Sequence, residues 1–352
     1  MSEAAGKTRR DLLKSLLATA GWTAASMSDA RALGTDALDV LRSTLALSDR
    51  DLSALLQGRP VVKTLPASTG REVATAGAIR IRGTIRRFVE QFQTLEGFRR
   101  SEFVHQIARF STPPVLADLD PLVPEAEDLA DLRTCRVGKC AVRLPAADIH
   151  RFQTEVDWRV PDWSGAASAL FKRTLFGYVA AYRAGGLDRL PRYDDQGDPI
   201  AVGEQLRDLI GQSPSPLDTD PALRESLLRY PAGGLVEGAN HFFYWSKEEF
   251  GFKPIVGLNH VCTHVPPAGG PVTMVTIQFY ATHYIDGQVA VMTLLPDPAD
   301  SGAFYWLYLN RARIGRLSGF WGVLARPIVQ GRARSGLSKS FTTTKTRMEN
   351  QR

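Results

Sequence analysis

The sequence contains only 3 cysteines in 352 residues, which excludes a disulfide-dense scaffold. It has no Cys-x-x-Cys-His, so covalent haem attachment has no support. No uninterrupted apolar run approaches the roughly 18 residues of a membrane span. Catalytic fingerprints are missing as well. There is no Gly-x-Ser-x-Gly, no His-Glu-x-x-His, no phosphate loop and no Gly-x-Gly-x-x-Gly, so none of the chemistries served by those spacings can be read from the chain.

With 44% hydrophobic and 23% charged residues, the composition is that of a folded protein, long enough for one large domain or two ordinary ones. The net charge of +6 is unevenly placed. Ten Lys or Arg and one acid, Glu349, fall between Arg311 and Arg352, which leaves the rest of the chain slightly acidic. Such a tail is either a solvated helix face or a surface for anionic lipid through Arg326, Arg332 and Arg334. Nucleic acid is not the expected partner.

Near the N-terminus, Thr8-Arg9-Arg10-Asp11-Leu12-Leu13-Lys14 resembles the twin-arginine export motif, with Leu12 where phenylalanine is usual. A modestly apolar stretch from Ser15 to Met27 follows, then Ala30-Arg31-Ala32 as a small-x-small cleavage site. The resemblance implies a signal peptide over residues 1–32, recognition of Arg9 and Arg10 by the twin-arginine machinery, and a periplasmic or secreted protein. The alternative is an ordinary amphipathic helix that carries two arginines. Proteins on this route fold before export, often around a cofactor, so a metal or organic cofactor becomes a reasonable expectation without being named. Cys135 and Cys140 flank Arg-Val-Gly-Lys, in which Gly138 can supply a turn; they are expected to form a disulfide, against two free thiols. The pair alone falls short of a zinc ligand set.

Residues 33–58 read as helix, with a helix-start box at Ser48-x-x-Asp51. Val61–Leu65 and Val73–Ile81 read as strands, Thr84–Leu95 as helix and Cys140–Leu144 as a short strand. Residues 146–235 form a mainly helical insertion. Strands return at Ile255–Val265, Val272–Ile285, Gln288–Leu295 and Phe304–Asn310. A final helix follows Gly319, with Leu317, Phe320, Trp321, Leu324 and Ile328 along one side. The expected fold class is α+β: a curved antiparallel sheet, a long C-terminal helix and a helical insertion, in a single domain over residues 33–352. This element order resembles the helix-grip fold of START-related proteins, which implies a sheet wrapped around a terminal helix and an apolar cavity. The patterns Cys-Arg-x-Gly-x-Cys at 135–140 and Ala-Thr-His-Tyr at 281–284 also resemble an exported bacterial family, and that resemblance implies no activity.

Asp286-Gly287 is the strongest local turn signal, because a two-residue loop of this type matches strand twist. Such a turn sets Ile285 opposite Gln288, His283 opposite Ala290, Ala281 opposite Met292 and Phe279 opposite Leu294, all on one apolar face. His283 is then the one polar group on that face. It either anchors a ligand or moves a proton, or it is a core histidine satisfied by one hydrogen bond. His260, Cys262 and His264 project the same way from their strand, but the outer two are about 13 Å apart. A metal held by His260 and His283 is geometrically easier than one held by all three. The acids from Asp118 to Asp131 lack calcium-loop spacing and read as solvated surface. Phe304, Trp306 and Tyr308 form one row of an aromatic strand, either core or cavity wall.

The leading expectation is an exported binding protein. It holds an apolar or amphipathic, lipid-like molecule between sheet and terminal helix, lined by His283, Phe279, Ala281, Met292 and Trp306. The alternative is a metal- or histidine-dependent periplasmic enzyme using His283 with His260.

Overall fold

The computed structural model describes residues 37–95, 103–212, 216–249, 253–315 and 319–350, with side chains of the last segment from 326 onward. Arg9, Arg10, the cleavage site and Leu317 lie outside the described residues, as do the side chains of Phe320, Trp321 and Leu324.

Helices α1 (37–45) and α2 (Asp49–Leu56) open the described chain. Ser48 ends the idea of one continuous helix here. Its hydroxyl accepts from the Asp51 N–H at 3.2 Å, and the Asp51 carboxylate accepts from the Ser48 N–H at 3.0 Å, a reciprocal cap that starts α2 afresh. Strands β1 (Val61–Thr64) and β2 (Glu72–Arg82) follow, then α3 (Ile85–Gln93), capped by Thr84, and β3 (Val104–Arg109). A helical stretch comes next: α4 (Ala126–Thr134), α5 (Ala146–Glu155) and α6 (Trp163–Gly185). The two-residue strands β4 (Arg192–Tyr193) and β5 (Ile200–Ala201) lead to α7 (Val202–Gly211) and α8 (Pro221–Leu228). Five long strands then form a meander: β6 (Ala239–Glu248), β7 (Ile255–His264), β8 (Val272–Ala281), β9 (Ile285–Pro296) and β10 (Ala303–Ile314). The chain closes with α9 (Gly319–Asn350), which contains Pro327.

The main sheet has eight strands in the order β1-β2-β10-β9-β8-β7-β6-β3, every pairing antiparallel. The fold class is therefore α+β, an antiparallel sheet with a C-terminal helix and further helices. Both faces are covered, which is why β7 and β8 are buried along their whole length. One face packs on α9 and α3 through Phe88, Phe304, Trp306 and Phe341. Gly77 lets α9 come close, since a Cβ there would meet Phe341 Cε2 at 2.8 Å and Val61 O at 2.6 Å. The opposite face meets the helices of residues 126–228 around β7 to β9, and α1 with α2 around β2 and β10.

The expected strand at Cys140–Leu144 is a loop. Its backbone groups pair outside any ladder, Cys140 N–H with Asp195 O and Arg143 N–H with Thr282 O, both at 2.9 Å. The expected β8–β9 register also fails. The observed pairs are Gln278 with Gln288, Ile277 with Val289 and Met274 with Met292, and Asp286-Gly287 lies inside β9. Asp286 is drawn out of the turn by two guanidiniums, Arg71 on Oδ2 and Arg143 on Oδ1, each at 2.5 Å. Breaking a buried ion pair costs about 3–5 kcal/mol, whereas local strand or turn preferences span about 1 kcal/mol. The ion pairs win. The chain reverses instead at Thr282–Tyr284, where the Ile285 N–H donates to His283 O at 2.6 Å around Tyr284 at φ +60°. A γ-turn with a positive central φ is rare and strained.

A second irregularity lies between β7 and β8, where the register steps from Leu258–Tyr280 to Asn259–Gln278. The bulge turns Phe279 and Tyr280 to the same side, toward α6. Phe279 stacks on Tyr182 at 4.6 Å, while Met292 and Trp306 belong to the α9 face. Ala281, opposite Gly257, follows the α9 face by strand alternation. The five residues expected to line one cavity are thus divided between two sides of the sheet.

Candidate functional site

From residue 326 onward, the side of α9 that meets the sheet packs around Trp306 and Phe341. Phe88 packs edge-on against Phe304 and Trp306 at 5.6 and 5.1 Å, and Phe341 closes on Trp306 at 4.8 Å. Among the described residues, one opening on this face measures about 80 Å³ and is walled by polar groups such as Ser246, Asn259 and Gln278. That volume suits a few water molecules, not a lipid-like one.

A larger cleft of about 420 Å³ lies on the other side of the β8–β9 turn, with Arg71, Arg143, Asp195, Lys253, His283 and Tyr284 around it. One wall is the segment that follows the disulfide loop, with Ala141 and Arg143. Cys135 and Cys140 are joined, with Cα atoms 4.4 Å apart, and Gly138 takes the positive φ of +77° that the tight loop requires. The loop is tied to the β4–β5 hairpin by Gly138 N–H to Asp194 O at 2.7 Å and by Gln196 Nε2 to Cys140 O at 3.2 Å. Beyond it, Ala141 O faces His283 Nδ1 at 2.9 Å.

His283 is the polar group the sequence singles out, and it is buried, but its surroundings differ from an apolar lining. Its Nε2 lies 2.9 and 3.1 Å from the two oxygens of Asp128. Both ring nitrogens therefore face acceptors. Lys253 Nζ meets the same carboxylate at 2.7 Å and Asp131 at 2.8 Å. Burial resists ionisation of Asp128, but hydrogen bonds and charge from His283 and Lys253 outweigh it and hold the carboxyl below its usual range. Asp128 thus departs from the expected solvated acidic surface. At 2% exposure it lies beside Leu129 and Leu132 on the buried side of α4.

Arg143 carries the more telling chemistry. It is 4% exposed. Its Nη2 serves Asp286 and donates to Tyr284 O at 3.2 Å, and its guanidinium lies 5.6 Å from the Tyr193 ring centre. Its Nε and Nη1 are buried with no hydrogen-bond partner among the described residues, and the same holds for Arg71 Nε. Opposite in charge is Asp195, 3% exposed, whose Oδ2 accepts from Gln196 at 3.3 Å while Oδ1 is unpartnered. Burial raises its carboxyl above the ordinary range, against the pull of Arg143.

The other flagged residues lie elsewhere. His260 is fully buried, with Nδ1 at 3.1 Å from the Tyr182 hydroxyl and Nε2 at 3.0 Å from His241 Nδ1. Burial, then the neighbouring His241, pushes it well below the usual imidazole range, so it is neutral. His264 pairs with Asp220 at 2.6 Å, and burial pushes the Cys262 thiol up to about 12. His260 and His283 therefore serve separate networks. No group of three or more His, Cys, Asp or Glu side chains among the described residues is arranged to hold a metal ion, and no described helix is long and apolar enough to cross a membrane.

Comparison with known protein families, with curated proteins and with solved structures finds no match for this chain. Function has to be read from the cleft. The sequence points to His283 and the disulfide, but not to Arg71, Asp128, Arg143, Asp195 or Lys253. Only Asp128 left a usable trace, as an acid next to Leu129 and one helical turn before Leu132.

Proposed function

We propose that this is an exported protein that binds a small polar solute in the cleft between the segment after the disulfide loop and the His283–Tyr284 turn. The observation that carries the reading is Arg143: a buried guanidinium with two unpartnered nitrogens beside a cleft of about 420 Å³. A buried donor left unmet costs about 1–3 kcal/mol, more when charged, and a bound acceptor would recover it once the guanidinium turns toward the cleft, since both nitrogens are closed to solvent. The strained backbone of Tyr284 supports the same location, since strain of this kind gathers at binding sites. This reading keeps the expectation of a small-molecule binder and moves the molecule from the α9 face to a polar site. The Cys135–Cys140 bond suits an oxidising compartment, and the twin-arginine resemblance of residues 8–32 supplies a route to the periplasm or beyond. An enzyme using the same cleft is the second reading, favoured by Asp195, whose raised carboxyl beside Arg143 is suited to donating a proton.

Thermal-shift screening of sugars, amino acids, organic acids and phosphates against wild type and Arg71→Met tests the proposal. At least one solute should raise Tm saturably in wild type and fail in the variant. A full screen without a hit, or hits indifferent to Arg71, would reject it.

A further inference from the structure

We infer that the outer side of α9 seats this protein on an anionic lipid surface. The inference does not depend on the cleft, which no residue of α3 or α9 lines. Leu337, Phe341, Thr344 and Met348 recur at helical spacing and are all buried. The same spacing on the opposite side selects Ile328, Arg332, Ser335, Lys339, Thr342 and Thr346, and all six are exposed. This stripe runs about 27 Å along the helix. Exposed Arg334 and half-buried Arg347 flank it. Arg326 turns inward instead, donating from Nη1 to Glu72 O at 3.1 Å.

The charge of this layer is lopsided. From residue 326 onward, α9 carries six Lys or Arg and one acid, Glu349, which Lys345 holds at 2.8 Å. On the same face of the sheet, α3 adds Arg86 and Arg87 against Glu90. The β3–β6 edge brings Arg109, 4.2 Å from the Phe242 ring centre, against Glu248 and Glu249. Nine basic side chains then stand against four acidic ones, with no charge assigned to His105. Residues 126–228, across the sheet, carry 13 basic and 16 acidic side chains, so the molecule has one basic side.

Ile328 decides the kind of anion. It is 57% exposed, one turn before Arg332 on the same stripe. An aliphatic group among basic ones gains by entering the headgroup region of a bilayer, where apolar burial and charge attraction add. Nucleic acid gains nothing from it. The aromatic side chains that could stack on bases, Phe88, Phe92 and Phe341, are buried.

Each basic residue near an anionic membrane strengthens partitioning roughly five-fold. Sedimentation with phosphatidylglycerol–phosphatidylcholine vesicles tests this on the full chain, comparing wild type with Arg332→Gln/Arg334→Gln/Lys339→Gln. At low salt the wild type should bind at least ten-fold more tightly, and both chains should keep the same thermal transition. The gap should close in about 500 mM salt and on pure phosphatidylcholine. Both chains share their N-terminal segment, so the gap reports α9 alone. If the triple variant loses its transition, Arg334→Gln/Lys339→Gln replaces it, with a gap of at least five-fold expected. Equal affinity of the two chains for anionic vesicles, or a gap that persists on neutral ones, overturns the inference. Ile328→Ser should weaken vesicle binding at least two-fold. No effect of that change, or a DNA duplex bound as tightly as the vesicles, would rule out lipid as the partner.

Discussion

Asp128 joins two walls of the cleft through one carboxylate, because His283 comes from the β8–β9 turn and Lys253 from the residues just before β7. Its folded carboxyl titrates below the unfolded value of roughly 3.9. The stability it adds is therefore complete above that value and is lost as pH falls through the folded one. Asp128→Asn should cost about 3 kcal/mol at neutral pH by removing the buried carboxylate that Lys253 and His283 share. In urea unfolding at pH 7 and pH 3, the penalty should shrink in acid; an equal penalty at both would contradict the pairing. Thiol chemistry gives a second check. With Cys135 and Cys140 joined and Cys262 buried with a thiol near 12, native protein at pH 8 should react with no thiol reagent, and unfolded unreduced protein with one equivalent. Three equivalents before reduction would refute the disulfide. At this scale the sequence exposes His283, since alternation around it is apolar. It conceals Asp128, whose acidic neighbours from Asp118 onward suggest solvent.

Asp286-Gly287 shows why one element could be read and its partner could not. The Ser48 box and the C-terminal helix after Gly319 rest on local signals, and both elements are present where those signals place them. The β8–β9 register rests on Arg71 and Arg143, which are 215 and 143 residues from Asp286 in the chain and leave no mark near it. Strand β3 escapes for a different reason: Val104–Arg109 is a half-exposed edge with polar residues inside it, so alternation is weak. Strand β6 hides in its own aromatic run, which reads as core whatever its structure. A substitution separates the two explanations of the turn. Asp286→Asn preserves an Asn-Gly dipeptide, at least as good a turn former, but removes the charge. It should destabilise the protein by about 3 kcal/mol in denaturant titration. A neutral or stabilising effect would show that the two ion pairs do not fix the register.

Across the whole molecule, the sheet is the middle layer and the cleft opens where its β8–β9 end meets the disulfide loop. The basic C-terminal region is partly absorbed into that architecture: Arg311 pairs with buried Glu72 at 2.5 Å, and Arg313 reaches Asp208 at 3.2 Å. Replacing both Cys135 and Cys140 by serine should cost about 2 kcal/mol by the loop-entropy relation, since the bridge spans only five residues of chain. The larger effect should be on solute binding, because the loop fixes Asp195, Gln196 and His283; unchanged affinity would detach the loop from the site.

Hydrogen–deuterium exchange with and without a solute that raises Tm tests the location most directly. Protection should rise in residues 136–146, 194–200 and 282–287, around Arg143, Asp195 and His283. Protection confined to 244–248, 276–278 and 308, around the small opening on the α9 face, would contradict it.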